Sequence, residues 1–110
     1  MGARRIEHRF AGADANIYLV TAAMLAGAHH GIVNKVRPDE PTDGNAYTNP
    51  RTALPTSWND AIRAFDAAIA LPDYLGADFC NVFSLGRKAE RRKFRSTVSP
   101  LEYEWYLRTV

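Results

Sequence analysis

Side chains alternate in character from Arg4 to Phe10, and this alternation constrains the start of the chain more than any other feature. In a β-strand, successive side chains point to opposite faces, so one face here carries only charge and the other carries apolar and aromatic groups. The charged face consists of Arg5, Glu7 and Arg9, and the opposite face of Ile6, His8 and Phe10. The pattern predicts one β-strand from Arg4 to Phe10.

A strand face that carries only charge is too polar for a protein core and indicates contact with water, an anion or a metal ion. The oxygens of Glu7 suit a hard divalent cation, and the guanidinium groups of Arg5 and Arg9 suit phosphate or carboxylate groups. The alternative interpretation is a solvated face with weak ion pairs. The spacing alone leaves both interpretations open.

The next segment, Ile17 to His30, is predicted to be a helix that is apolar on almost every side. Asp14 or Asn16 is suited to cap its start, and Gly31 is a plausible stop. An all-round apolar helix needs cover on every side, which favours a piece of a larger protein over a free small domain. His29 and His30 are adjacent and point apart, so they lack the spacing with which two histidines hold one metal.

A long loop, Val33 to Thr56, separates this helix from three more predicted helices. Ser57 and Asp60 resemble a capping box at the start of the second helix, which Pro72 is expected to end. Gly76 precedes the third, and Ser99 and Pro100 open the fourth. The residues expected to face the core are Trp58, Ile62, Phe65 and Ile69 in the second helix and Phe79, Val82, Phe83 and Phe94 in the third.

The run from Arg87 to Arg95 contains six basic residues and one acidic residue. It has a single aromatic residue, Phe94, whereas single-stranded nucleic acid usually stacks on several. We therefore expect a solvated or subunit-contacting face and no nucleic-acid partner. The last helix carries Tyr103, Trp105 and neighbouring aromatic residues, which we expect to be docked on other protein surface.

The composition of the chain limits the compartment and the kind of protein to which it is suited. The chain has 110 residues, a formal net charge of +2 and one cysteine, Cys80, which suits a reducing cytoplasm. Its apolar run, Ile17 to Leu25, is far shorter than the ~20 residues that span a bilayer, so no membrane contact is expected. Charged residues continue up to that run, which argues against a signal peptide.

Several motifs occur in a recognisable order: R-x-E-x-R, A-G-A-D-A-N-x-Y-L, A-A-M-L-A-G-A-H-H-G-I-x-N-K, G-N-A-Y and S-P-L-E-Y-E-W-Y-L. Together they resemble the C-terminal part of glutamine synthetase family enzymes, most closely the gamma-glutamylpolyamine synthetase (glutamate-polyamine ligase) branch. The resemblance implies that residues 1–110 are a C-terminal fragment of a glutamine synthetase-type α/β catalytic domain. The expected fold of the fragment is mainly α, with the N-terminal strand followed by about four helices.

The resemblance also implies an activity. Such enzymes use ATP and Mg²⁺ or Mn²⁺ to join ammonia or an amine to the gamma-carboxylate of glutamate through a gamma-glutamyl phosphate, and they assemble as stacked rings in the cytoplasm. By analogy with the R-x-E-x-R motif, Glu7 would be a metal ligand, Arg9 a catalytic contact to glutamate or the transferred phosphate, and Arg5 a nucleotide contact. Tyr47 resembles a tyrosine that some bacterial relatives modify. The alternative hypothesis is a non-catalytic helical packing or oligomerisation module.

Overall fold

The computed structural model describes residues 3, 5–41, 43–45 and 54–109. Within these residues, the regular secondary structure consists of α-helices. The helices are α1 (Ile17–Val33), α2 (Trp58–Asp66), α3 (Leu71–Leu75), α4 (Ala77–Arg95) and α5 (Pro100–Tyr106). Contacts divide the chain into two compact units, Met1–Pro41 and Thr42–Val110, and each is described by itself. Tyr47 lies outside the described residues.

The predicted N-terminal strand is unconfirmed. Residues 5–10 form no strand, and Arg4 is outside the described residues. A strand is stabilised by backbone hydrogen bonds to a neighbouring strand, and the described part of the chain offers none. The alternation of side chains is nevertheless visible, because Glu7 contacts Arg9 and the ring of His8 lies 5.2 Å from that of Phe10.

Helix α1 begins as predicted and ends later than predicted. The side chain of Asn16 accepts hydrogen bonds from the backbone N–H groups of Tyr18 (3.0 Å) and Leu19 (3.3 Å) and so caps the first turn. Gly31 does not stop the helix. The stop is a Schellman motif in which Lys35 adopts a positive φ of 52°, while the N–H of Val36 donates to the carbonyl of Gly31 at 2.9 Å.

Helices α2 and α4 form an antiparallel pair. Trp58 at the start of α2 contacts Phe94 near the end of α4, with ring centroids 5.9 Å apart. Phe65 near the end of α2 contacts Phe83 near the middle of α4, at 5.2 Å. Ile62, midway along α2, is buried. The second unit is therefore held together by one short helix packed along one long helix, with α3 also against α4.

Several predicted details of the second unit are wrong. Helix α2 ends at Asp66, so Ile69 is outside it and is 90% exposed. Pro72 does not end α2 but lies in the first turn of the additional short helix α3, where its missing N–H is tolerated. Val82 and Phe94 were expected to be in the core, yet each is 69% exposed. Phe94 does contact Trp58 of α2, but this contact at the end of the helix pair leaves most of its ring open to solvent.

Three other predictions are confirmed. The Ser57 hydroxyl accepts from the N–H of Asp60, as expected for the start of α2. Gly76 precedes α4 and has a positive φ of 86°, a backbone conformation that glycine adopts without steric cost. Ser99 and Glu102 form a reciprocal capping box at the start of α5. The backbone N–H of Ser99 donates to the Glu102 carboxylate and holds its pKa below the ordinary value.

Asp66 joins the end of α2 to α4. One of its carboxylate oxygens lies 2.6 Å from the ammonium group of Lys88, and the other accepts a hydrogen bond from the buried hydroxyl of Ser84. The hydrogen bond from Lys88, followed by that from Ser84, lowers the pKa of Asp66 below its ordinary value of 3.8. A lowered pKa means that the charged carboxylate stabilises the folded state.

We expect Asp66→Asn to reduce stability at neutral pH and to have less effect in acid. The contribution of the Asp66 charge is present above the pKa of the unfolded chain and is lost as the pH falls through the lower pKa of the folded chain. Urea unfolding followed by circular dichroism between pH 7 and pH 2 measures it. Asp43→Asn is the matched control, because it removes the same charge from a residue with no ion pair to a described residue. If Asp66→Asn reduced the free energy of unfolding equally at pH 7 and at pH 2, the stabilising role of the Asp66 charge would be contradicted.

Few side chains in the described residues are buried. The buried ones are Ala26, Ile62, Cys80 and Ser84. Large apolar groups on α1 and α5, such as Leu25 (66% exposed) and Trp105 (60%), are open to solvent. The expected docking of the C-terminal aromatic residues is therefore not seen within the described chain. No described helix combines the length and the hydropathy needed to cross a membrane.

Candidate metal and substrate site

Glu7 and Arg9 form a close ion pair in the segment that precedes α1. The Nε and Nη2 atoms of Arg9 each lie 2.6 Å from Glu7 Oε1. The Glu7 side chain is 55% exposed and the Arg9 side chain is 82% exposed. Residues two apart lie on the same side of an extended segment, and the Glu7–Arg9 contact agrees with such an arrangement. The structure thus brings together two of the three predicted site residues, in the kind of exposed ion pair that the alternative interpretation of a solvated face expected, and their metal and substrate roles stay predictions.

Arg5, the third predicted residue, is exposed and makes no ion pair with a described residue. His8 lies on the other side of the segment and makes an edge-to-face ring contact with Phe10. The interpretation of His8 as structural stays a prediction. Glu7 therefore contacts the guanidinium group of Arg9, while Arg5 is close to it in the sequence.

The donor atoms of Glu7 fit one position in a metal site, but they do not make a complete site. Both close contacts from Arg9 go to Oε1, and Oε2 makes no hydrogen bond to a described residue. An exposed carboxylate with a free oxygen is a suitable ligand for Mg²⁺ or Mn²⁺. Within the described ranges, however, no three His, Cys, Asp or Glu side chains lie close enough to hold a metal ion. Further ligands would have to come from other parts of a larger protein.

The sequence interpretation missed an apolar groove between α2 and α4. The groove encloses about 270 Å³ and is lined by Trp58, Ala61, Ile62, Phe65, Phe83, Ser84 and Arg87. The guanidinium carbon of Arg87 lies 5.3 Å from the centre of the Phe83 ring and the group also pairs with Glu90 at 2.7 Å. No local pattern identifies this groove, because it depends on how the two helices pair.

The basic run on α4 is partly occupied by contacts within the second unit. Lys88 pairs with Asp66, Arg87 with Glu90, and Arg91 donates to the side chain of Asn59. These contacts give three of the six basic residues a local structural role. They offset part of the repulsion between like charges four residues apart on the helix.

Comparison with known proteins assigns the family. Residues 1–106 match the family described as the catalytic domain of glutamine synthetase. The chain belongs to this family. The glutamine synthetase resemblance of the motifs is thereby confirmed for nearly the whole chain.

Curated relatives support the same assignment. Gamma-glutamylputrescine synthetase PuuA of Escherichia coli (strain K12) is 38% identical over 106 residues, which cover 96% of this chain and 22% of that protein. Glutamine synthetase of Neisseria gonorrhoeae is 34% identical over 113 aligned residues, covering 94% of this chain and 24% of that protein. Glutamate–isopropylamine ligase of a Pseudomonas species is 50% identical over 54 residues, which cover 48% of this chain and 12% of that protein.

The first two of these relatives show how much of such an enzyme the chain represents. It spans between a fifth and a quarter of their length. No solved structure matches the chain. By their names, these relatives are synthetases and a ligase that carry glutamine, glutamate or the gamma-glutamyl group in the name.

Proposed function

We propose that the chain is part of an ATP-dependent ligase that joins ammonia or an amine to the gamma-carboxylate of glutamate through a gamma-glutamyl phosphate. The observation that carries the proposal is the match of residues 1–106 to the glutamine synthetase catalytic domain. The exposed Glu7–Arg9 pair within the R-x-E-x-R motif supports it, because phosphoryl transfer requires carboxylates for metals and cations for phosphate charge.

In this proposal, each residue of the motif has a separate role. Glu7 is a ligand of Mg²⁺ or Mn²⁺, and Arg9 is the catalytic contact to the glutamate substrate or the transferred phosphate. Arg5 lies near the ATP phosphates. The bound divalent ions would neutralise the charge that develops on the phosphates. The remaining ligands and the amine pocket belong to other parts of the catalytic domain.

The second substrate is proposed to be an amine, with ammonia as the alternative. The supporting observation is that two of the relatives named above are, by their names, a gamma-glutamylputrescine synthetase and a glutamate–isopropylamine ligase. We further propose that the complete ligase is cytoplasmic and assembles as stacked rings of identical subunits. The exposed apolar side chains of α1 and α5 are suited to such contacts.

The test is an assay of the complete ligase that contains this segment, beside the isolated 110-residue chain. With ATP, Mg²⁺ and glutamate, the complete ligase should release phosphate only when putrescine, isopropylamine or ammonia is added. The isolated chain should be inactive, because catalytic groups act as a unit and this chain holds few of them. Phosphate release without glutamate would overturn the proposed reaction, and turnover by the isolated chain would overturn the placement of the site.

A non-catalytic packing or assembly module is the second candidate function for the chain on its own. The scarcity of buried side chains in the described residues favours it, since apolar helices that are left open tend to associate. Binding of ATP or Mn²⁺ by the isolated chain, measured by calorimetry, distinguishes the candidates. Clear binding would favour a catalytic fragment, and oligomer formation without binding would favour the module.

A further inference from the structure

Four side chains form a stripe along α4, beside its contact with α2. The α4 stripe consists of Phe83, Arg87, Glu90 and Phe94, which are separated by four, three and four positions. This spacing is the 3.5-residue repeat of helices that pack lengthwise on one another. Phe94 is 69% exposed, the Arg87 side chain is 45% exposed and the Glu90 side chain is 50% exposed. The α4 stripe therefore has the pattern of a helix seam, and much of it is uncovered within one copy of the chain.

The α4 stripe borders two adjoining hollows in the second unit. Phe83 and Arg87 line the apolar groove of about 270 Å³ between α2 and α4. Glu90 and Phe94 line a wider hollow at the end of α4, and Trp58 borders both. The two hollows follow each other along α4, as a site for a lengthwise helix requires.

The order of the four residues is self-complementary. The midpoint in sequence between Arg87 and Glu90 is also the midpoint between Phe83 and Phe94. Two identical antiparallel helices, related by a twofold axis at this midpoint, place Arg87 of each copy opposite Glu90 of the other. The same register places Phe83 of each copy opposite Phe94 of the other. One register thus satisfies two charged pairs and two aromatic pairs.

We propose that the α4 stripe is the interface for a second copy of this chain, with the two α4 helices antiparallel about a twofold axis. The dimer is then a four-helix arrangement in which each α4 is covered by its own α2 on one side and by the second α4 on the other. The inference goes beyond the proposed ligase function and does not rest on it.

The energetics favour a weak dimer. Arg87 already pairs with Glu90 of its own copy at 2.7 Å, and exchange of this exposed pair for one between copies contributes little. Burial of the open faces of Phe83 and Phe94 contributes more, because aromatic pairs stabilise beyond their buried area. The stripe covers only about three helical turns, so we expect a small interface and a dimer that is populated at protein concentrations on the order of 100 µM.

Charge reversal tests the pairing between copies. Arg87→Glu leaves two acidic groups in the stripe, and Glu90→Arg leaves two basic groups, so a dimer of either variant brings like charges together. Sedimentation velocity of the 110-residue chain over a range of concentrations measures the dissociation constant of the dimer. Each reversal should raise this constant by roughly tenfold to a hundredfold, because both symmetry-related pairs are lost.

A mixture of the two variants distinguishes an interface from a contact within one chain. Arg87→Glu and Glu90→Arg are complementary to each other in the proposed register, so an equimolar mixture should form a heterodimer about as tight as the unsubstituted dimer. The pair within each chain stays broken in both variants, and a role confined to that pair predicts no recovery on mixing. If the unsubstituted chain dimerises but the mixture remains monomeric, the inference is overturned.

Phe94→Ala and Val82→Ala test which face of α4 is used. Both side chains are 69% exposed, but Val82 precedes Phe83 and lies about 100° round the helix from it, outside the stripe. Phe94→Ala should weaken the dimer by roughly tenfold or more, and Val82→Ala should change the dissociation constant less than about twofold. Circular dichroism checks the helix content, and the mixing experiment decides if Phe94→Ala unfolds the chain.

Two other results would also overturn the inference. One is an unsubstituted chain that remains monomeric at about 1 mM. The other is association that both charge reversals leave unchanged, which would place the contact on other exposed apolar side chains, such as those of α1.

Discussion

Glu7→Gln in the complete ligase should reduce metal-dependent turnover by roughly tenfold to more than a hundredfold. The substitution keeps the size of the side chain and its capacity for hydrogen bonds, but it removes the negative charge that a divalent cation prefers. A charge-assisted contact is worth ~1.5 to 3 kcal/mol, and this range gives the expected factor if the contact operates in the transition state. Steady-state kinetics at varied Mg²⁺ and Mn²⁺ concentrations measure it.

Arg9→Lys should reduce turnover by a similar factor for a different reason. Lysine keeps the positive charge but lacks the planar fork that binds a carboxylate or phosphate through two hydrogen bonds. His8→Phe is the control, since His8 lies on the opposite side of the segment and contacts Phe10. It should alter stability more than turnover. Near-normal turnover of Glu7→Gln and Arg9→Lys, with loss of turnover in His8→Phe, would place the functional face on the other side.

Ile62→Ala should destabilise the α2–α4 pair more than any other single truncation in α2. Ile62 is 7% exposed, and removal of a buried isoleucine side chain down to alanine typically costs about 2 to 5 kcal/mol. Helix α2 has nine residues and is too short to persist without its packing on α4. Urea unfolding of the chain, followed by circular dichroism, measures the loss.

Ile69→Ala is the matched control for this prediction. It removes the same atoms from a side chain that is 90% exposed, so the change in the free energy of unfolding should stay within about 0.5 kcal/mol. If Ile62→Ala unfolds the chain, Ile62→Val gives a graded version with an expected cost of about 0.5 to 1.5 kcal/mol. Equal effects at positions 62 and 69 would mean that the antiparallel pairing of α2 and α4 is incorrect.

Helix starts could be predicted well from the sequence, whereas helix ends could not. The starts depend on side chains that reach a backbone N–H two or three residues away, as Asn16, Ser57 and Ser99 do. The end of α1 depends on Lys35 adopting a positive φ, which a lysine seldom does and no residue pattern announces. The end of α2 depends on its partner helix. Asp66 is its last residue and is held there by groups on α4.

The metal and substrate roles of Glu7, Arg9 and Arg5 stay predictions. What the structure shows is an exposed ion pair between Glu7 and Arg9, a contact between residues only two apart in the sequence. The strand itself could not be established from the alternation, because a strand is completed by a partner that supplies hydrogen bonds. No such partner exists among residues 3, 5–41, 43–45 and 54–109.

The sequence by itself therefore determined the family and the starts of α1, α2 and α5, since each depends on motifs or on contacts within a few residues. The tertiary structure decided which face of α4 is covered, where Phe83 finds Phe65, and how Asp66 meets Ser84, eighteen positions further along the chain. Apolar side chains occur on several faces of α4, and the burial of any of these faces would stabilise the fold by a similar free energy. Only the register of α2 along α4 selects among these faces, and that register is set by packing across the pair.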